Sequence, residues 1–117
     1  MSNEVTIFHN PKCSKSRATL KLLKDHKITP LIIEYLIVTL DKDIIEDILK
    51  KLNKEPRDII RKTEQAFKNN DLKNKNLTRN QLIEAIIRDP ILMERPIVLC
   101  NNKAAIGRPP ESILKII

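Results

Sequence analysis

Apolar residues recur along this chain with two different spacings. "VTIF" at 5–8 is a compact β-branched and aromatic run and predicts a strand. From 14 to about 26, Ala18, Thr19, Leu20, Leu22 and Leu23 are set among lysines, the pattern of a helix packing one face on a sheet. "LIIEY" at 31–35, entered through Pro30, predicts a second strand. Strand, helix and strand within this span make a βαβ unit with a right-handed crossover.

The middle of the chain takes the helical period. In "DKDIIEDILKKLN", Ile44, Ile45, Ile48, Leu49 and Leu52 form one apolar stripe, with Asp41 as N-cap and Asn53 as stop. "EPRDIIRK" predicts a shorter helix with Pro56 in its first turn and Arg61 at its end. Residues 62–77 are polar and irregular. Thr78 and Gln81 then make a capping box ahead of Leu82, Ile83, Ile86 and Ile87, and Asp89-Pro90 ends that helix. In the last third, "PIVLC" and "KAAI" predict strands joined by Asn101-Asn102, residues that tolerate the positive φ of a tight hairpin. "PPESILKII" predicts a final helix. Read in order this is βαβ, a helical insertion at about residues 41–92, then ββα. The order fits an α/β thioredoxin-like fold with a mixed four-stranded sheet. Another small α/β sandwich is the alternative that pattern alone leaves open.

Composition narrows the setting. The 117 residues fit one domain spanning 1–117, and 41% hydrophobic with 32% charged residues is ordinary for a soluble protein. Two cysteines are too few for a disulfide scaffold, so reduced thiols and a cytoplasmic location are expected. "MSNEVTIF" lacks the basic and apolar regions of a signal peptide, and no apolar run has the length of a membrane span. The net charge of +7 admits nucleic acid, anionic membranes or small oxyanions as partners. There is no long basic run, and aromatics are 3% of the chain, poor material for base stacking, so no nucleic acid is expected.

Chemistry concentrates in "FHNPKCSKSR" at 8–17. Cys13 falls where the first strand gives way to the first helix. A thiol there meets the unpaired N–H groups and positive dipole end of the first turn, which favour the nucleophilic thiolate. The same N–H groups can seat an oxyanion. Lys12, Lys15, Arg17 and His9 add positive potential. The other reading is a small core residue, and the polar, charged neighbours count against it. Spacing excludes two mechanisms: a cysteine-x5-arginine loop needs arginine where Thr19 stands, and a dithiol motif needs cysteine where Ser16 stands. Cys100 is the other cysteine. If Pro96 approaches the site, as proline does in thioredoxin-like folds, Cys100 lies roughly 13 Å away along its strand, beyond disulfide reach, and is read as structural. An external thiol must then complete any redox cycle.

Gly107, the one glycine, is expected to serve positive φ or close backbone approach. Arg61, Arg95 and Arg108 are three of seven arginines and all lie at predicted element ends, where guanidinium groups can converge on an oxyanion. Each also has an ordinary reading as an exposed basic residue. His9 is either a thiolate-tuning group or a structural histidine, and His26 is a surface or capping residue.

"HNPKCSKSR", "IRKTE" at 60–64, "DPILMERPI" at 89–97 and "GRPPE" at 107–111 together resemble the glutathione- and glutaredoxin-dependent arsenate reductases, in order over essentially the whole chain. The resemblance implies a thioredoxin-like fold with a helical insertion. It puts the nucleophile on Cys13, the oxyanion-binding arginines on Arg61, Arg95 and Arg108, the histidine before the loop on His9 and a cis-proline on Pro96. It implies arsenate as substrate, glutathione as co-substrate, glutaredoxin as partner, and no bound cofactor or metal. Two other functions stand beside it: an Spx-type regulator that binds RNA polymerase, and a general monothiol oxidoreductase. Spx-type proteins usually carry two cysteines at this loop, which Ser16 does not match.

Overall fold

Strand β1 (Val5–Phe8) is apolar on both faces, and it takes a central place in the sheet. The computed structural model describes residues 4–117. The chain forms two compact units, one made of the chain up to Val38 with Arg95–Ile117, the other of Thr39–Glu94.

In the first unit, β1 runs into helix α1 (Ser14–Asp25), and the chain returns through β2 (Leu31–Ile33) parallel to β1. On the other side β3 (Ile97–Cys100) pairs antiparallel with β1, and β4 (Lys103–Ile106) antiparallel with β3, giving the order β2-β1-β3-β4. Alternation along the strands sends Val5, Ile7, Val98 and Cys100 to one face. There they pack with Leu23 of α1 and Ile113 of a C-terminal 3-10 turn, Pro110–Lys115. Burial of these aliphatic groups, each worth roughly 1.5–3 kcal/mol, fixes α1 across the sheet. Asn101, at φ 57°, makes the β3–β4 hairpin turn.

The second unit is helical. Helix α2 (Lys42–Leu52) is capped by Asp41, whose side chain accepts from Ile44 N at 2.9 Å, and ends on left-handed Asn53. Helix α4 (Arg79–Arg88) opens on the Thr78–Gln81 capping box and packs against α2. Ile45, Ile48 and Leu49 of α2, and Leu82, Ile83, Ala85 and Ile86 of α4, are the buried residues of the two stripes.

Four elements differ from expectation. Tyr35 is fully buried but lies past β2, which stops at Ile33. The segment after Glu55 is a 3-10 turn, Pro56–Ile59, because Ile60 is drawn into a bridge with Met93, so Arg61 follows an extended residue and does not end a helix. The region expected to be irregular contains a short helix, α3 (Gln65–Asn69), none of whose residues is buried. The final helix is 3-10 rather than α. Among the described residues no helix is long and apolar enough to cross a membrane.

Candidate active site

Two chain reversals meet at one end of the sheet. The first is the loop from β1 to α1. His9 N donates to Ile33 O at 2.8 Å, continuing the β1–β2 pairing by one residue. Asn10 then folds the loop: its Oδ1 accepts from Lys12 N and its carbonyl accepts from Cys13 N, both at 3.0 Å. Arg17 ties the loop to the helix through Nη1, which donates to Pro11 O at 2.9 Å. Cys13 is thereby set at the N-cap of α1 with extended backbone, φ −95° and ψ 122°.

The second reversal is the open end of the β3–β4 hairpin. Ile97 pairs with Ile106 and also with Phe8, so this end lies where β1 enters the Cys13 loop. Arg95 and Arg108 flank that pair symmetrically, each followed by a cis-proline, Pro96 and Pro109. Register therefore delivers both guanidinium groups to the thiol. Arg108 Nη1 lies 3.8 Å from Cys13 Sγ and donates to Arg95 O at 3.1 Å. The Arg95 side chain hydrogen-bonds Cys13 itself. Gly107 permits the close fit of this end against α1. Its φ is not positive, but a Cβ there would strike Thr19 Oγ1 and lie 2.9 Å from Pro96 Cγ. Close approach, not backbone freedom, is the reason for this glycine.

The electrostatics favour the thiolate. Partial burial of Cys13 works against ionisation, but the Ser16 N–H, the Arg95 guanidinium and the Lys15 N–H outweigh it, and the pKa falls below the ordinary thiol value. His9 is not among the groups that act on the sulfur directly. It is buried, and its Nδ1 lies 2.7 Å from Ser16 Oγ, which also accepts from Asn10 N at 3.0 Å. Burial lowers the His9 pKa, opposed by Glu34 and assisted by Lys24 and Arg17. A neutral ring can accept the Ser16 O–H at Nδ1. His9 thus acts on the loop through Ser16.

Ser16 and Asn10 carry site roles that the sequence reading did not assign. Ser16 entered it only as the missing second cysteine, yet it is fully buried and joins His9, the loop backbone and the thiol. The signal was present: a serine in the first turn of a helix, where hydroxyls bond nearby backbone. Asn10 before Pro11 was likewise readable as a turn former. Arg61 belongs to the other unit. There its Nε donates to Glu64 at 3.1 Å and its Nη1 to Glu94 at 3.2 Å, while its backbone N donates to Leu92 O at 2.7 Å. Cys100 is buried on β3 beside Val5, at the sheet end opposite Cys13, and both cysteines are free.

A cysteine of lowered pKa at a helix N-terminus beside two arginines, on a sheet of this order, places the chain among thioredoxin-like α/β proteins. The model of the ArsC family matches residues 8–116, and the chain belongs to that family. It is 45% identical over 111 residues to an arsenate reductase of Neisseria meningitidis, covering 94% of this chain and 95% of that one. It is 44% identical over 118 residues to the Escherichia coli protein YfgD, covering 100% and 99%. The solved structure of an arsenate reductase from Vibrio cholerae superposes with a TM-score of 0.96 at 40% identity, over 100% of both chains.

Proposed function

We propose that the protein is an arsenate reductase that takes its electrons from glutathione and glutaredoxin. The observation that carries the proposal is Cys13 at the N-cap of α1 with Arg108 Nη1 3.8 Å from its Sγ, its pKa lowered by the Ser16 and Lys15 N–H groups and by Arg95. Membership of the ArsC family and the likeness to proteins named arsenate reductase support arsenate as the oxyanion. The position of Cys100 supports external thiols, since this second cysteine lies at the end of the sheet opposite Cys13.

In this scheme the Cys13 sulfur attacks arsenate at arsenic. An As–O bond breaks, water leaves, and an S–As(V) adduct forms. Glutathione then attacks the adduct at arsenic, a second As–O bond breaks, a second water leaves, and arsenic(V) carries both sulfurs. The glutaredoxin thiolate next attacks the glutathione sulfur and breaks its bond to arsenic, leaving the electron pair on arsenic. As arsenic gains two electrons, the glutathione and glutaredoxin sulfurs each lose one and join in a mixed disulfide. Hydrolysis of the remaining S–As bond releases arsenite and restores the Cys13 thiol. In sum, one arsenate and two thiols give one arsenite, one mixed disulfide and one water. Arg95 and Arg108 stabilise the anionic transition states, and the family resemblance adds Arg61 to the oxyanion ligands. His9 and Ser16 hold the loop that aims the sulfur. No bound cofactor enters the scheme. Reduced glutathione as a reactant sets the reaction in a reducing compartment, the cytoplasm.

Arsenate-dependent oxidation of NADPH, coupled through glutathione reductase, glutathione and glutaredoxin, tests this. The wild-type chain should turn over and Cys13→Ser should fall to the rate without enzyme. Equal rates for the two proteins refute the proposal.

A further inference from the structure

The turn after β2 presents apolar side chains to solvent at the same end of the sheet as Cys13. Ile37 is 78% exposed, with Leu36 and Val38 exposed on either side. The turn is ordered by its own backbone, for Ile37 N and Val38 N both donate to Glu34 O, at 3.0 and 3.2 Å, and Tyr35 before them is fully buried. Three consecutive exposed aliphatics on a closed turn are the kind of surface that marks an interaction site. Its position ties it to the thiol. β1 and β2 are parallel, so both leave the sheet at the same end, and the Ile33 carbonyl that precedes the turn bonds His9 at the start of the Cys13 loop. Glu34, at the head of the turn, acts electrostatically on His9.

We infer that Leu36, Ile37 and Val38 form a docking lip for the redox protein that exchanges thiols with Cys13. The inference rests on the external-thiol reading of the site. A macromolecular donor must bring a cysteine to Cys13, and a surface continuous with the Cys13 loop is where its flank would rest. The exposed side chains of Lys12 and Lys15 and the exposed Arg108 add positive charge around the thiol. The fitting partner has a nucleophilic cysteine rimmed by apolar and acidic side chains. Addition of a strand from a second copy to the β2 edge is the weaker use of this face. β2 has three residues and follows Pro30, features that blunt an edge.

The test avoids arsenate, so that its failure and that of the arsenate reading are distinct. Cys13 is converted to its glutathione mixed disulfide, and release of the Cys13 thiol is followed with glutaredoxin as probe and with dithiothreitol as a small-thiol control. In the first reaction the glutaredoxin thiolate attacks the glutathione sulfur, and the Cys13 thiolate leaves. Ile37→Glu should lower the second-order rate constant with glutaredoxin about tenfold or more, as loss of a central apolar anchor does, and leave that with dithiothreitol unchanged. Ile37→Ser serves as the second variant if the glutamate disturbs folding, judged by circular dichroism. An unchanged glutaredoxin rate overturns the inference. So does an equal loss with dithiothreitol, which reports a distorted site. Sedimentation that shows a wild-type dimer broken by Ile37→Glu, with the glutaredoxin rate unaltered, overturns it in favour of a second copy. Loss of arsenate turnover in the wild type, with the glutaredoxin effect intact, sinks the substrate assignment and leaves the docking lip standing.

Discussion

At the scale of the residue, the lowered pKa of Cys13 depends on neighbours that can be removed one at a time. Arg95 both bonds the sulfur and supplies charge, so Arg95→Gln should raise the midpoint of thiol alkylation against pH. In the wild type that midpoint should lie below the ordinary thiol value, and a midpoint equal in both proteins counts against the role given to Arg95. His9 makes a different prediction, about stability. Its pKa is lowered in the folded chain from 6.5, chiefly by burial. Between the folded value and 6.5 the unfolded chain therefore binds more protons than the native one. Its contribution to stability is complete above 6.5, and declines as pH falls through that window. Urea midpoints should decline on acidification below about pH 6.5, and His9→Asn, which keeps an acceptor near Ser16, should flatten the decline. The same slope in both proteins would assign the effect to other groups. Of these residues, Cys13, Arg95 and Arg108 were legible as types at element ends, and their meeting was implied by the family resemblance, while the geometry that brings it about was not. It follows from the pairing of Ile97 with both Phe8 and Ile106, and strand register joins positions far apart in the chain.

Elements were legible wherever a local rule and the apolar period agreed. Asp41 and Asn53 bound α2 as their chemistry predicts, and the capping box opens α4. In that box Thr78 Oγ1 accepts from Gln81 N at 3.1 Å and Gln81 Oε1 accepts from Thr78 N at 2.8 Å. Thr78→Ala removes one half and should cost about 1 kcal/mol of unfolding free energy in urea titrations. A loss below about 0.3 kcal/mol would mean that the packing of Leu82 and Ile86 alone holds the helix start. Elements were illegible where the stripe is missing or tertiary bonds intervene. α3 buries no residue, so it left no periodic trace in "QAFKN". Its neighbourhood is held by long-range polar contacts instead: Arg57 donates to Leu72 O and Asn74 O, and Asn70 to Asp89. The turn at Pro56 stops early because Glu94 N and Arg61 N take Ile59 O and Leu92 O, a pairing with residues more than 30 positions away. Its sequence alone reads equally well as a longer helix.

At the scale of the whole molecule, the sheet separates the two sulfurs. Cys13 follows the C-terminal end of β1 by a loop, whereas Cys100 pairs with Val5 at the N-terminal end of the same strand. Val5 and Phe8 bracket the strand, so three residues of extended chain, roughly 10 Å, lie between the two ends before the loop is added. A disulfide requires Cα atoms about 4.4–6.8 Å apart. Cys100 is also 1% exposed, packed among Val5, Ile7, Leu23 and Val98, so moving it to Cys13 would dismantle the core. Oxidation of the folded chain should therefore give one product class, an adduct on Cys13 with an external thiol. Intact-mass measurement after treatment with glutathione disulfide should show addition of a single glutathione, mapped by proteolysis to the peptide containing Cys13. Cys13→Ser should take up none under native conditions. In urea, where the sheet no longer holds the sulfurs apart, loss of two hydrogens through a Cys13–Cys100 bond should become accessible. If the native chain instead loses two hydrogens without gaining glutathione, the sulfurs do meet in the folded state, and the dependence on an external thiol falls with the geometry that supports it.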